Sequence, residues 1–126
     1  MIKSFIISIA LLAPLSAYGE TFVSLAVDSG AMVHGFGVSA DVVEAQIQAL
    51  RACSELAGDC RVGYTRSDTC VGFAADFSAG TWGANRAATS EEAAANALNH
   101  CIDNYNSGEL CQLVEVRCTA NLTESN

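Results

Sequence analysis

Lysine and proline are almost absent from this chain of 126 residues. Lys3 is the single lysine and Pro14 the single proline, and both lie near the start of the chain. The remainder therefore lacks the amine that Schiff-base chemistry requires, and it has no proline to interrupt a helix or a strand. Beyond the first apolar run, near the start of the chain, no segment has the roughly 18 continuous apolar residues that a membrane-spanning helix needs.

The first apolar run has the features of a secretory signal peptide. Lys3 precedes an apolar segment at residues 5–15, and Ala17 and Gly19 supply the small residues of a cleavage site. The segment is too short to anchor the chain stably in a membrane, and no cysteine follows it for attachment of a lipid. The sequence therefore predicts a signal peptide at residues 1–19 and a protein that is secreted or periplasmic.

Export leads to a prediction about the N-terminus of the mature protein. Cleavage after Gly19 should leave Glu20 as the first residue. N-terminal sequencing or mass spectrometry of the exported protein measures this directly. Recovery of exported protein that still begins with Met1 would contradict the prediction.

Acidic residues outnumber basic ones, with 14 aspartates and glutamates against six lysines and arginines and a net charge of −8. Such a surface repels the phosphates of nucleic acids and anionic lipid headgroups, so neither is an expected partner. It attracts a basic protein, although acidity also serves simply to keep an exported protein soluble. Nothing in the sequence indicates an oligomeric state.

All six cysteines lie beyond the predicted signal peptide. An even number of cysteines in an exported chain predicts three disulfides. Zinc binding is the alternative, but the chain has no Cys-x-x-Cys motif, and His34 and His100 lack zinc-finger spacing. No metal or cofactor is therefore expected. The cysteines are Cys53, Cys60, Cys70, Cys101, Cys111 and Cys118.

The sequence contains an internal duplication. Residues 92–101, EAAANALNHC, resemble residues 44–53, EAQIQALRAC, at an offset of 48 positions. The same offset aligns further identical residues, whereas Cys60 and Cys111 align after three additional positions. The identical pairs include Ala26 and Ala74, Asp28 and Asp76, Gly35 and Gly83, Cys53 and Cys101, and Cys70 and Cys118.

Each copy predicts a β-hairpin, a helix and a closing strand, with the hairpin turns at Asp28 and Asp76. We predict an α+β fold of two tandem β-β-α-β repeats, at about residues 22–70 and 72–118. Their strands should form an antiparallel sheet with two helices packed on it, and disulfides should cross-link the fold. Residues 20–118 should be one domain whose halves superpose about an approximate twofold axis, and residues 119–126 a flexible tail.

The two predicted helices carry capping signals and apolar faces. Asp41 with Glu44, and Thr89 with Glu92, have the spacing of a reciprocal capping box. The faces predicted to pack on the sheet are Val43, Ile47, Leu50 and Cys53 in the first helix and Ala94, Leu98, Cys101 and Tyr105 in the second.

The predicted elements favour one set of disulfides. Cys53 ends the first helix and Cys60 opens the strand after it, and Cys101 and Cys111 repeat this arrangement. Cys70 and Cys118 then remain to join the two halves. Six cysteines permit 15 pairings. The duplication favours pairings that respect it, without selecting this one alone.

Several motifs follow one another in a fixed order along the chain. They are a hairpin in which a small residue and an aspartate precede a turn and a glycine, TWG at residues 81–83, the helix SEEAAANALNHC, and chain reversals with a cysteine on either side. In order and spacing they resemble domain of unknown function 4189, a family of small secreted bacterial domains, over residues 22–118. The resemblance implies a disulfide-bonded exported domain and no established reaction, cofactor or catalytic residue. The first repeat departs from it where His34 takes the place of Trp82.

The sequence gives a weak indication of a binding site around Trp82. On a strand, Trp82, Ala84 and Arg86 share one face, with Asn85 on the other. A tryptophan and an arginine exposed together are typical of binding sites, so Trp82, Asn85, Arg86 and His34 are the candidates. The alternative is that Trp82 packs beneath the second helix, whose alanines leave room for a large ring.

His34 and the two hairpin aspartates, Asp28 and Asp76, are the candidates considered for catalysis. With Asp28 or Asp76 and a serine, His34 could form a hydrolytic triad, but no Gly-x-Ser-x-Gly motif is present, so no catalytic residue is assigned. The two aspartates could equally form a pair of catalytic carboxylates, although they are better explained as turn residues that bind their own backbone.

Three classes of function remain open. The first is a noncatalytic exported binding module, such as an inhibitor or protective partner of a basic extracytoplasmic protein. The second is a small secreted hydrolase that uses His34 and an aspartate, and the third is a structural component of the cell envelope. The expected stability of the chain, its acidity and the lack of a set of catalytic residues favour the first.

Overall fold

The computed structural model describes residues 19–105 and 110–119. Within them lie six strands and two helices, in the order β-β-α-β-β-β-α-β. The strands are β1 (Phe22–Asp28), β2 (Val33–Ser39), β3 (Arg61–Ser67), β4 (Cys70–Asp76), β5 (Thr81–Ala87) and β6 (Gln112–Cys118). The helices are α1 (Val42–Ser54) and α2 (Ser90–Tyr105). Residues 1–18 of the predicted signal peptide and residues 120–126 of the predicted tail lie outside the described residues.

The predicted α+β fold of two β-β-α-β repeats is confirmed, and its strands are divided between two sheets. One antiparallel sheet has the order β2-β1-β3 and the other the order β5-β4-β6. The central strands explain the division, because β1 and β4 are buried along almost their whole length. A single sheet with both helices on one face would leave half of those side chains in water.

The two sheets pack face to face, and each carries its own helix on the outer face. Alternation along β1 and β4 sends one set of side chains between the sheets and the other toward the helices. The buried cluster between the sheets consists of Val23, Leu25, Val27, Phe36, Val71, Phe73, Ala75 and Ala84. Helix α1 contacts the first sheet and α2 the second, which gives four layers, helix, sheet, sheet and helix.

Glycines on the outer sheet faces let the helices approach closely. A Cβ atom at Gly37 would collide with the carbonyl oxygen of Ala45, and one at Gly35 with the backbone nitrogen of Cys53. In the second unit, a Cβ atom at Gly72 would lie 2.5 Å from the carbonyl oxygen of Ala93. These contacts are with helix backbone, so the packing distance is set by the absence of side chains on the strands.

The helix faces predicted from periodicity were wrong in part. The buried residues of α1 are Ala45, Ala49 and Cys53, whereas Val43 is 56% exposed and Ile47 is 38% exposed. Helix α2 buries the equivalent residues, Ala93, Ala97 and Cys101. The reason is the close approach to glycine-containing strands, which selects small side chains on the buried face and leaves the large ones outside.

The capping boxes are formed only in part. The Oδ1 atom of Asp41 accepts from Val43 N at 2.9 Å, as an N-cap should. The backbone nitrogen of Asp41 donates to Ser39 Oγ at 3.1 Å, so the glutamate that would complete the box is replaced by a serine. At α2, Thr89 Oγ1 accepts from Glu92 N at 3.2 Å.

Three disulfides join Cys53 to Cys60, Cys101 to Cys111 and Cys70 to Cys118. The first two fasten the end of each helix to the strand that follows. The expectation that Cys70 and Cys118 join the two halves was wrong, because Cys70 opens β4 and lies opposite Cys118 in β6. This disulfide therefore closes the second unit, and the corresponding pair in the first unit is Phe22 and Ser67.

None of the helices in the described part of the chain is both long and apolar enough to span a bilayer.

Candidate functional site

The two units meet at two corners that are related by the duplication. At one corner β5 of the second unit lies over β3 of the first, where Trp82 lies against Gly63. At the other, β2 of the first unit lies over β6 of the second, where His34 lies against Glu115. The reciprocal contacts are those expected of two copies related by an approximate twofold axis.

The first corner contains an open cleft of about 380 Å³, the Trp82 cleft. Its wall combines an aromatic ring and aliphatic side chains with one hydroxyl group, one carboxylate and one guanidinium. A mixture of apolar wall and a few polar groups is typical of ligand sites. The lining residues are Val27, Ser29, Gly30, Asp59, Arg61, Val62, Gly63 and Trp82.

Trp82 is half-buried and held from both ends of its ring system. Its indole nitrogen donates to Ser29 Oγ at 3.3 Å, and its ring centroid lies 5.8 Å from that of Phe73. At the other end, a Cβ atom on Gly63 would lie 2.8 Å from Cη2 of the ring. Gly63 is the residue at which the register between β1 and β3 shifts, so a glycine at this bulge makes room for the indole.

Trp82 does not pack beneath α2, as the alternative interpretation required. Strand alternation points Trp82 toward the other sheet and Gly83 toward the helix, where a Cβ atom would lie 2.8 Å from Cys101 N. Because Trp82 lies at the edge of the intersheet core, one part of its ring is buried and another lines the cleft.

Asp28 holds together two segments that line the cleft, at Gly30 and Asp59. Its Oδ1 atom accepts from the backbone nitrogens of Gly30 and Ala31 at 3.0 and 3.1 Å, and its Oδ2 atom accepts from Asp59 N at 3.2 Å. The N–H group of Ala31, with those of Asp59 and Gly30, holds the pKa of this carboxyl below its ordinary value, while desolvation opposes the shift. Asp28 is therefore ionised at neutral pH and ties the β1–β2 turn to the loop before β3.

Asp76 plays the same part in the second unit. Its Oδ1 atom accepts from the backbone nitrogens of Ser78 and Ala79 at 3.0 and 3.1 Å and from Ser78 Oγ at 2.6 Å. Both aspartates thus bind the backbone of their own turns, as expected for turn residues.

The second corner, the His34 corner, consists of His34, Phe36, Glu115 and Arg117. The carboxylate of Glu115 accepts a hydrogen bond from His34 Nε2 at 2.7 Å and binds Arg117 Nη2 at 2.6 Å. The imidazole also lies 4.7 Å from the ring of Phe73 and 5.7 Å from that of Phe36. Arg117 lies over Phe36 at 5.4 Å, so this corner is closed by an ion pair, an edge-to-face contact of His34 with Phe36 and a tilted contact of His34 with Phe73.

A pair of compensating differences distinguishes the two corners. Trp82 faces the bulge residue Gly63, whereas at the equivalent positions the other corner has His34 and the bulge residue Val114. A large ring with a glycine thus replaces a smaller ring with a valine, an exchange that conserves volume. The carboxylate partner of His34 has no counterpart at the Trp82 corner, because the residue equivalent to Glu115 is Tyr64.

The pKa of Glu115 predicts how the His34 corner responds to acid. The hydrogen bond from His34, aided by Arg117, lowers this pKa below its ordinary value of 4.5, although partial burial opposes the shift. Glu115 therefore contributes stability above pH 4.5, and this contribution is lost as the pH falls through the lowered pKa. Because the pair is partly exposed, we expect Glu115→Gln to lower the free energy of unfolding by only about 0.5–1 kcal/mol at pH 7.

Urea unfolding at pH 7 and pH 3 measures this difference between the wild-type protein and Glu115→Gln. The difference should be smaller at pH 3, because the stability contributed by the ionised Glu115 carboxylate falls as the pH drops below 4.5 toward its lowered pKa. Glu91→Gln, on the exposed first turn of α2, is the control and should show little difference at either pH. A difference for Glu115→Gln that is the same at both pH values would contradict the assignment.

The structure separates the four candidate binding residues. Trp82 lines the cleft, but Asn85 and Arg86 are not in its wall. Asn85 Oδ1 accepts from Arg86 N at 2.8 Å, and the carbonyl oxygen of Arg86 accepts from Asn96 Nδ2 at 3.2 Å, which places both nearer the other end of β5. His34 lies at the other corner, and the carboxylate it contacts belongs to Glu115 instead of Asp28 or Asp76.

Four further residues line the cleft and were not predicted from the sequence, namely Ser29, Asp59, Arg61 and Gly63. For Arg61 and Gly63, which lie on β3, the available signal is the second alignment offset, because β3 and β6 align at an offset of 51 residues instead of 48. Among the described residues, no group of three or more histidine, cysteine or acidic side chains is arranged to hold a metal ion.

Fold and cleft together define a disulfide-bonded α+β domain made of two β-β-α-β units, with an aromatic cleft at one of its two corners. The family model for Domain of unknown function (DUF4189) matches residues 22–118, and the chain belongs to this family. No protein of curated function and no solved structure matches the chain significantly.

Proposed function

We propose that this protein is an exported, noncatalytic binding module whose partner is a basic extracytoplasmic protein. The observation that carries the proposal is the Trp82 cleft, in which a half-buried tryptophan forms an open wall beside hydrogen-bonding and charged groups. Tryptophan is enriched among the residues that dominate binding energies, above all where its ring is held by surrounding structure.

The charge of the chain supports a basic partner. A net charge of −8 on a small domain favours encounter with a positively charged protein and disfavours encounter with nucleic acid. Three disulfides support a role outside the cytoplasm, since they persist in oxidising compartments.

A scaffold of this kind is suited to binding. The strands that flank the cleft are pinned by the Asp28 hydrogen bonds and by the Cys53–Cys60 disulfide. A preformed site loses little conformational entropy when it binds, which strengthens association.

Affinity capture tests the proposal. The mature, oxidised protein is immobilised, exposed to an extract of exported proteins at low salt, and eluted with rising salt. We expect a basic protein that is retained by the wild-type protein, released by salt and lost from Trp82→Ala. Arg86→Ala, also on β5 but outside the cleft, is the matched control and should retain the partner. Retention of no basic protein, or equal retention by Trp82→Ala, would contradict the proposal.

A further inference from the structure

We infer that the Trp82 cleft binds the side chain of an arginine on the partner, with the guanidinium between the indole ring of Trp82 and the carboxylate of Asp59. This inference rests on the proposed function and specifies the chemistry of its binding site. A guanidinium is planar, permanently charged and weakly hydrated, so it stacks on an aromatic ring and binds a carboxylate at the same time.

The indole of Trp82 is a fixed surface for such a ligand. Its nitrogen is bound to Ser29 and its far edge lies against Gly63, so the ring does not need to be ordered when a ligand arrives. Cation–π attraction is strongest for tryptophan among the aromatic side chains, and a part of this ring lines an open cleft.

The charges around the cleft favour a cation. Asp59 lies in the wall, and the ionised carboxylate of Asp28 binds the backbone of the lining residues Gly30 and Asp59. Two negative groups therefore oppose the single positive charge of Arg61. An anionic ligand would be repelled by the carboxylate of Asp59 in the wall and, from a greater distance, by that of Asp28.

The ion pair between Asp59 and Arg61 leaves the Asp59 carboxylate able to bind a ligand. The Nε atom of Arg61 lies 3.9 Å from Asp59 Oδ1, and the side chains are 84% and 81% exposed. A pair so exposed and so loosely joined is weak, and it shows that a guanidinium fits beside this carboxylate. A second guanidinium from a partner can therefore bind Asp59 without breaking a buried ion pair.

Trp82 is the single tryptophan of the chain, so its fluorescence reports the cleft directly. The probe is a short blocked peptide that contains one arginine, and the matched peptides contain citrulline, which has nearly the same shape without the charge, or lysine. We expect the arginine peptide to change the fluorescence with saturation and to bind about tenfold more tightly than the citrulline peptide. The lysine peptide should bind more weakly than the arginine peptide, because an ammonium group does not stack.

Asp59→Asn removes the carboxylate and retains the shape of the side chain. It should weaken the arginine peptide about fivefold and leave the citrulline peptide unaffected, whereas Glu91→Gln, the same change of charge on α2, should alter neither. Equal affinities for arginine and citrulline, or for arginine and lysine, would overturn the inference, as would an unchanged affinity in Asp59→Asn.

The capture experiment and the peptide titration test the binding module and the arginine site independently. Suppose that the wild-type protein and Asp59→Asn both retain a basic protein, that Trp82→Ala does not, and that the arginine peptide fails to compete for binding. The arginine assignment is then wrong, and the proposal of a binding module stands. If no basic protein is retained, the proposed function fails even where the peptide binds.

Discussion

Replacing Gly37 with valine should lower the free energy of unfolding by more than about 3 kcal/mol and leave little folded protein at 37 °C. A Cβ atom at this position meets the carbonyl oxygen of Ala45 and the backbone nitrogen of Ala49, so α1 must move away from its sheet. Backbone atoms in a helix cannot rotate aside as a flexible side chain can. Urea unfolding followed by circular dichroism measures the loss.

Gly58→Ala is the control for this substitution. A Cβ atom at Gly58 meets nothing within 4 Å, so its replacement should change the stability by less than about 0.5 kcal/mol. Similar stabilities for Gly37→Val and Gly58→Ala would show that α1 does not lie as close to β2 as the structure has it.

The double substitution Cys70→Ala with Cys118→Ala should be the most damaging loss of a disulfide. The two cysteines are 48 residues apart, and the loop-closure entropy of a link of that length corresponds to about 4 kcal/mol. That is a large part of the total stability of about 5–15 kcal/mol that is usual for a domain. Because the link joins the central strand β4 to β6, amide exchange should increase throughout the second sheet.

Removal of Cys53 and Cys60 is the matched comparison. These cysteines are seven residues apart, so their link should contribute only about 2.5 kcal/mol. Hydrogen exchange in the absence of denaturant should then increase at the end of α1, with the second sheet still protected. A larger loss of stability from this short link than from the long one would contradict the loop-length account.

The architecture of each unit could be predicted from the sequence. The repeated helix, the turns at Asp28 and Asp76 and the helix-end cysteines are local signals, and local signals determine where elements begin and end. The division into two sheets is a tertiary effect, yet it has a signal in the nearly continuous apolar runs of β1 and β4. Strands that read as apolar on both faces are covered on both faces.

The buried faces of the helices could not be read from hydrophobicity alone. Periodicity favours Val43 and Ile47, but the strand beneath α1 has glycines, and only small residues such as Ala45 and Ala49 fit against it. The pattern of glycines on β2 and of alanines on α1 must be considered together, because each is explained by the other.

The cleft was harder to predict, because it depends on contacts between the two units. Trp82 is conspicuous as the single tryptophan of the sequence. Gly63 and Asp59 become cleft residues only because β3 lies beneath β5 in the folded protein. The interpretation of Cys70 failed for a related reason, since a single alignment offset placed it at the end of the first repeat instead of at the start of the second.

Nuclear magnetic resonance of the oxidised, isotopically labelled protein, titrated with the arginine peptide, tests most directly whether the Trp82 corner is the binding site. The duplication supplies the internal comparison, because the His34 corner occupies the equivalent position on the other side of the same molecule. We expect the largest changes in chemical shift at the indole N–H of Trp82 and at the backbone amides of Ser29, Asp59 and Gly63, with His34 and Glu115 nearly unaffected. Changes concentrated at His34, Glu115 and Arg117, or spread evenly over both corners, would contradict the account.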